Sequence, residues 1–289
     1  MGESTTINLK GITVSIVVGL IVCLILLIQS LQDRDTRLIF CNVGQGDAAY
    51  MRIQNSFDVL IDAGPNRSIL DCLGKHMPFH DRNIELVFIS HPQADHIGGL
   101  LPVSERYRVG AIIGYLPPST STLSAKLKRS LDKQHTRIIP PAKDMRISFL
   151  NGYFQILSAP DRSSYADIQA NESSVVLLYN EKNTSALFTG DATVSTLYPV
   201  QTQLLAESHS PLSLLKVPHH GSRTGLDPSL SFLAESTYSV ISVKRSNSYG
   251  HPDKSIISLL QSHGSRLLRT DVQGDIIFHI TSHDLQLVP

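Results

Sequence analysis

Apolar positions along this chain fall into three patterns, and each predicts a different kind of element. The first is an almost unbroken run over residues 12–28 that carries no charge. Its 17 residues reach the lower limit for a helix that crosses a bilayer. Residues 26–33 offer no small-x-small cleavage pattern, and the run exceeds the apolar core of a usual signal peptide. The pattern therefore predicts a polar leader over residues 1–11 and an uncleaved, single-pass transmembrane anchor over residues 12–30. Lys10 stands on one side, Arg34 and Arg37 on the other, diluted by Asp33 and Asp35, so flanking charge leaves the orientation open.

The second pattern is a series of short β-prone runs separated by turn residues such as Gly44, Gly46 and Gly64-Pro65. These runs predict strands over 38–43, 48–53, 57–61, 86–89, 111–115, 174–179, 186–189, 214–217 and 238–243. The third has helical spacing and predicts helices over 121–132, 193–205, 228–234 and 255–262. Strand after strand, then strands alternating with helices, is the pattern of an α/β domain with two sheets and helices outside them. The domain is expected over residues 37–289, with no internal repeat. Pro140-Pro141 and residues 162–164 read as surface connections.

Composition narrows the picture modestly. With 289 residues and 42% hydrophobic content the chain has ample material for a core, which excludes a disordered chain or a disulfide miniprotein. Formal net charge is zero, so no global field points to nucleic acid. Cys23, Cys41 and Cys72 make an odd count without a C-x-x-C pair, which excludes zinc-ribbon and thioredoxin-type readings. Buried free thiols are the expectation, with a Cys41–Cys72 bridge as the alternative in an oxidising compartment.

The chemistry gathers at the ends of apolar runs. S-H-P-Q-A-D-H-I-G-G, from Ser90 to Gly99, follows a buried-strand pattern and leads into a helical one. His91, Asp95 and His96 supply two imidazoles and a carboxylate within six residues, a nitrogen and oxygen mix that divalent transition metals favour. Phe188-Thr189-Gly190-Asp191 puts a carboxylate at another strand end, where α/β proteins place ligands; the alternative for Asp191 is a helix N-cap. Leu215-Lys216-Val217-Pro218-His219-His220-Gly221-Ser222 ends a third run. Adjacent histidines on an extended chain face opposite sides, so one of His219 and His220 is expected to bind metal while the other shapes the site. Asn247 to Pro252 brings His251 to a fourth strand end.

These motifs, together with Asn42-Val43-Gly44-Gln45-Gly46-Asp47-Ala48, Asp62-Ala63-Gly64, Asn171-Glu172-Ser173-Ser174 and Tyr249-Gly250-His251-Pro252, resemble the metallo-β-lactamase superfamily. Within it they resemble the C-terminal hydrolase domain of ComEC-type DNA-uptake channel proteins. Arg269-Thr270-Asp271 with Gly274 looks like the family's closing strand. The resemblance covers nearly everything after the anchor. It implies an αββα four-layer sandwich with a hydrolytic site of one or two divalent ions. By matching position it implies His91, Asp95, His96, Asp191 and one of the paired histidines, taken as His220, as metal ligands. It makes His251 a site residue, with Asp95, His251 and His219 carrying catalysis. Asp47 and Asp62 are expected to fix turns and hydrogen-bond the ligating histidines.

The chain departs from that pattern at two places. Gln93 stands where the fullest form of the first motif has a second histidine, and Asn171 stands about where other members bring a further one. Both are weak neutral ligands, so the ion nearer His91 is expected to be loosely held, and the metal to be manganese or labile zinc. The family's channel proteins carry many membrane helices, so this chain is expected to work beside a separate channel subunit.

For substrate, residues 126–146 hold Lys126, Lys128, Arg129, Lys133, Arg137, Lys143 and Arg146 against Asp132 and Asp144. That surplus suits a phosphate backbone, and equally a solvated helix. Lys216 and Arg223 are expected at the surface. The leading expectation is a membrane-anchored, metal-dependent phosphodiesterase or nuclease acting on DNA, with its hydrolase domain extracytoplasmic. Two alternatives stand beside it: a hydrolase of a smaller phosphoester or surface-polymer ester, and a non-catalytic DNA-binding module of a DNA-uptake apparatus.

Overall fold

The structure, a computed structural model, describes residues 9–32, 35–117, 121–161, 171–207, 209–281 and 284–289. Residues 1–8 of the expected leader and the expected connection at 162–164 lie outside the described residues. Helix α1 (Leu9–Gln32) is a continuous 24-residue element. Its side chains are described without a break only over residues 14–25, and all of these are exposed. The expected anchor, 12–30, therefore lies partly outside the described side chains. Among the described residues no helix is long and apolar enough to cross a membrane.

The chain then forms β1 (Thr36–Phe40), β2 (Ala49–Ile53), β3 (Phe57–Ile61), α2 (Ile69–His76), β4 (Asn83–Phe88), α3 (Ala94–Ile97), α4 (Leu100–Arg106), β5 (Arg108–Ile113), α5 (Thr122–Lys133) and β6 (Arg137–Ile139). It continues through β7 (Arg146–Phe149), β8 (Gly152–Ser158), β9 (Val176–Glu181), β10 (Thr184–Phe188), α6 (Val194–Ala206), β11 (Leu214–Lys216), α7 (Ser231–Ala234), β12 (Tyr238–Ile241), α8 (Lys254–Ser262), β13 (Arg266–Arg269), α9 (Thr270–Gln273), β14 (Ile276–Ile280) and β15 (Leu285–Leu287). One sheet runs β15-β14-β1-β2-β3-β4-β5-β6 and the other β13-β12-β11-β10-β9-β8-β7.

Side-chain alternation builds the layers. Leu38 and Phe40 of β1, Met51 of β2 and Phe88 of β4 point between the sheets, where they meet Phe154, Leu177, Tyr179 and Phe188. Their neighbours Ile39, Tyr50 and Val87 point the other way, onto Ile69 and Leu73 of α2, Val103 of α4 and Leu127 and Leu131 of α5. On the far side Val176, Leu178 and Leu187 pack on Leu197, Val200 and Leu204 of α6 and Ile256 and Leu260 of α8. Both faces of each sheet are thus buried, which is why the strands read as nearly continuous apolar runs. The result is the expected αββα layering.

Three sequence readings need correction. Arg269-Thr270-Asp271 is not a closing strand: Arg269 ends β13 and Thr270 begins α9, while β14 closes the first sheet against β1. Cys41 and Cys72 are not free thiols but form a disulfide. Cys23 is free as expected, yet exposed on α1 rather than buried.

Candidate metal centre

The parallel strands β3-β4 and β10-β11-β12 deliver their carboxyl ends to one rim of the sandwich. Asp62 leaves β3, Ser90 and His91 follow β4, Asp191 follows β10, His219 and His220 follow β11, and Ser242 follows β12. Glycine makes the approach possible at two points. Gly190 has φ +52°, and a Cβ there would lie 2.6 Å from Ser90 Cβ, so the end of β10 can press against the β4 loop. Gly46 has φ +144° and a Cβ would lie 2.2 Å from the Asp95 carbonyl oxygen, which lets the β1–β2 loop brace the short helix α3.

Asp95, His96, Asp191 and His220 present one ligand atom each, all within 4.8 Å of one another. His96 Nε2 is 3.3 Å from Asp191 Oδ1 and 3.9 Å from Asp95 Oδ2; His220 Nε2 is 3.8 Å and 3.5 Å from the same two oxygens. Ligands held roughly 2.0–2.2 Å from a tetrahedral ion are separated from each other by about 3.3–3.6 Å. The set fits an ion. His96 Nε2, His220 Nε2 and Asp191 Oδ1 are buried without a hydrogen-bond partner, a costly arrangement that a cation relieves. Charge agrees with geometry. Burial alone would push the His96 imidazole down, but the Asp191 and Asp62 carboxylates outweigh it and hold it well above its usual value. His220 is raised to about 9 in the same way, against burial, by Asp191 and Asp47. Asp191 is driven well below the carboxylate range, burial notwithstanding, by His96 and His220. The carboxylates demand positive charge here, and a divalent cation supplies it.

Behind each ligand imidazole stands a carboxylate. Asp62 Oδ2 is 2.8 Å from His96 Nδ1, and Asp62 is itself held by the Ser90 N–H at 2.8 Å and the Ser90 hydroxyl at 2.6 Å. Asp47 Oδ1 lies 3.4 Å from His220 Nδ1, which is 2.9 Å from the Ser242 carbonyl. Asp47 is in turn paired with Lys216 at 2.8 Å. Lys216 was expected at the surface and is instead 3% exposed, because β11 is a central strand and the lysine points at the site rather than away from it. Arg223 does stay exposed, paired with Asp253. Fixing Nδ1 leaves Nε2 of both imidazoles aimed inward, the usual arrangement behind a metal-binding histidine. Ser90 and Ser242 carry no sequence signal beyond standing at strand ends, and Lys216 reads as surface until the strand order is known.

The remaining expected residues lie around this set. His91 is buried, and burial, then the neighbouring His96, lowers its pKa. Its ring centroid is 4.1 Å from that of His96, and its Nε2 has no hydrogen-bond partner. Gln93 stands at the N-cap position of α3 without a side-chain capping bond and is half-buried. Asn171 Nδ2 is 3.5 Å from the His219 ring, and its Oδ1 is buried without a hydrogen-bond partner. His219 and His220 are not on an extended chain. Both adopt left-handed backbone, φ +48° and +54°, in a tight turn over Pro218–Gly221, at about 1–3 kcal/mol of strain per residue. That turn puts His220 in the ligand set and His219 Nε2 3.7 Å from the other oxygen of Asp191. His219 Nδ1 meets the Thr224 hydroxyl at 2.9 Å, and its ring lies 5.8 Å from that of His251. Burial lowers the pKa of both His219 and His251, which favours their neutral forms. Asp191 does not cap α6, a place taken by Thr193.

Comparison with known proteins agrees with this description. The pattern described as the metallo-beta-lactamase superfamily matches residues 41–243. "Recombination protein 2" of Haemophilus influenzae is 25% identical over 256 residues, which are 87% of this chain and 30% of that protein. "ComE operon protein 3" of Bacillus subtilis is 26% identical over 261 residues, 81% of this chain and 32% of its own length. The chain thus spans about a third of the curated relatives it matches, which are ComE/ComEC-type competence proteins. Among solved structures, the metallo-beta-lactamase fold protein YhfI from Bacillus subtilis superposes with a TM-score of 0.55 at 11% identity, covering 85% of this chain and 100% of YhfI.

Proposed function

We propose, for a chain that belongs to the metallo-β-lactamase superfamily, a metal-dependent phosphodiesterase that cuts DNA beside a membrane in a DNA-uptake setting. The hydrolase fold and the need for a divalent ion come with the family; the substrate, the metal and the location are our reading. The observation that carries it is the set of Asp95, His96, Asp191 and His220, with three buried, partnerless ligand atoms turned to one point. When bound there, a divalent ion supplies Lewis-acid stabilisation of charge on a phosphoryl oxygen and lowers the pKa of water toward neutrality.

The protein's own groups do the rest. Asp62 holds His96, and the Ser242 carbonyl holds His220, in the tautomer that presents Nε2, with the Asp47 carboxylate 3.4 Å behind the second ring. Asp95, whose side chain is 31% exposed at the mouth, orients the attacking water as well as serving as a ligand. His219 and His251, at the rim with their neutral forms favoured, donate hydrogen bonds to the phosphate oxygens, and the leaving oxygen takes its proton from water. The relatives' names, a recombination protein and competence proteins, support DNA over other phosphodiesters; a separate channel subunit is part of our reading. Manganese or zinc suits a ligand set of two carboxylates and two imidazoles.

For location, the Cys41–Cys72 disulfide supports an extracytoplasmic domain, since such bridges persist in oxidising compartments. The uncharged apolar run over residues 12–28, with the side chains of residues 14–25 all exposed on α1, supports our reading of a single-pass anchor over residues 12–30. The test is metal content together with hydrolysis of single-stranded DNA and bis(p-nitrophenyl) phosphate by the full chain in detergent. The expected result is manganese- or zinc-dependent cleavage of both that vanishes in Asp191→Ala. Bound metal with no DNA cleavage moves the substrate to a smaller ester, and DNA affinity with neither metal nor turnover leaves a binding module.

A further inference from the structure

The loop after β12 carries an aromatic side chain that folding does not use. Tyr249 is 70% exposed, yet its backbone is fixed. The Asn247 side chain accepts from the N–H groups of Tyr249 and His251, both at 3.1 Å, and donates to the carbonyls of Lys244 and His251. One asparagine thus ties both ends of the loop to itself. The loop is braced from below as well, where Asp253 N–H donates to the Gly221 carbonyl at 2.9 Å, beside the paired histidines. A fixed backbone thus presents an exposed aromatic ring to solvent, and what stands beside that ring decides what it can receive.

Its direction is given by its neighbours. The Tyr249 and His251 rings lie within 12° of parallel with centroids 6.1 Å apart. His251 is 5.8 Å from His219, and His219 Nε2 is 3.7 Å from Asp191. Aromatic rings therefore step outward from the candidate metal centre to the surface. Lys244 and Arg245 are exposed in the same loop, and Arg223, exposed in the segment that follows the paired histidines, pairs with Asp253 in the segment that follows Tyr249. An aromatic face beside cationic side chains is the combination that holds single-stranded nucleic acid, the ring taking a base and the cations the backbone. We infer that Tyr249, backed by His251, is a stacking platform for the unpaired nucleobase next to the scissile phosphodiester. It makes the enzyme selective for base-bearing single strands. The inference rests on the phosphodiesterase reading for its position in the reaction, but the platform is testable by binding alone.

The experiment compares wild type, Tyr249→Ala and Tyr249→Phe, each as the full chain in detergent with manganese. Fluorescence anisotropy gives the affinity of each for a short oligothymidylate and for a strand of equal length made of abasic residues. Wild type should hold the thymidylate roughly 5- to 150-fold more tightly than the abasic strand, the span of one base–aromatic stack. Tyr249→Ala should lose that difference, Tyr249→Phe should keep it, and the three should bind the abasic strand alike. Equal weakening of both strands in Tyr249→Ala, or no preference for bases in wild type, overturns the platform; the latter is also the outcome if this ring receives a protein. Hydrolysis of bis(p-nitrophenyl) phosphate is followed in parallel. If hydrolysis is missing while the base preference persists, the enzyme reading fails and the platform stands; the reverse pairing sinks only the platform.

Discussion

The two sides of the candidate centre are built to different standards. On one side His96 and His220 each have a carboxylate behind the imidazole, and each carboxylate is held in turn, Asp62 by Ser90 and Asp47 by Lys216. On the other side His91 Nδ1 has neutral hydroxyls for company, Ser90 Oγ at 3.1 Å and Ser174 Oγ at 3.5 Å. A metal-binding histidine gains basicity and orientation from an anionic partner. The contrast predicts firmer retention of an ion at His96 and His220 than of one at His91.

The largest effect should separate the two histidine classes. His220→Ala is expected to abolish retention of the ion through gel filtration, whereas His91→Ala should keep it; equal loss in both would erase the distinction. Next comes the brace. Asp62→Asn preserves shape but weakens the hold on His96 Nδ1, and should lower metal affinity by roughly 10- to 100-fold in a chelator competition. Asp62 is the cleaner choice, because removing Asp47 would strand the buried Lys216 charge, at about 3–5 kcal/mol.

The smallest effect concerns the loop that carries Asp47. Asp275 accepts from the Asn42 N–H at 2.9 Å and lies 3.1 Å from His76 Nε2, tying that loop to α2 and β14. The His76 hydrogen bond, ahead of the Asn42 N–H and Lys75, lowers its pKa to about 2 against the opposing effect of burial. A depressed carboxylate stabilises the fold fully above its ordinary value, near pH 4, and loses that contribution as pH falls to about 2. Discounted for partial exposure, the term is about 1 kcal/mol, or roughly 2–4 °C in Tm. Thermal unfolding of wild type should therefore fall more steeply between pH 4 and 2 than that of Asp275→Asn. Parallel curves would remove Asp275 from the account.

How much of this was legible beforehand depended on the kind of contact. Strands β1 to β5 and β9 to β12 announce themselves because most of their positions are buried on both faces and each carries a short apolar run. β7 and β8 did not, since Arg146–Phe149 alternates with solvent at a sheet edge and Gly152 opens β8 without a side chain. α2, eight residues with an internal glycine, was also passed over. His96, Asp95 and Asp191 could be picked out because ligand types at strand ends are rare by chance. Which of the paired histidines joins them could not, because the answer lies in two left-handed residues that neither side chain advertises. Lys216 was misread for the complementary reason: its partner, Asp47, lies 169 positions away in the sequence.

The disulfide leaves a mark on the unfolded chain as well as the folded one. Cys41 and Cys72 are 31 residues apart, and the ring they close contains Asp47 and Asp62 but none of the four ligands. Cross-linking a segment of that length removes conformational freedom worth roughly 3–4 kcal/mol from the denatured ensemble. Oxidation thus prepays the ordering of the two supporting carboxylates, while the ligands are left to be gathered by the sheets. A reduced chain would keep every group that touches the ion, and would first lose the certainty with which those groups are aimed.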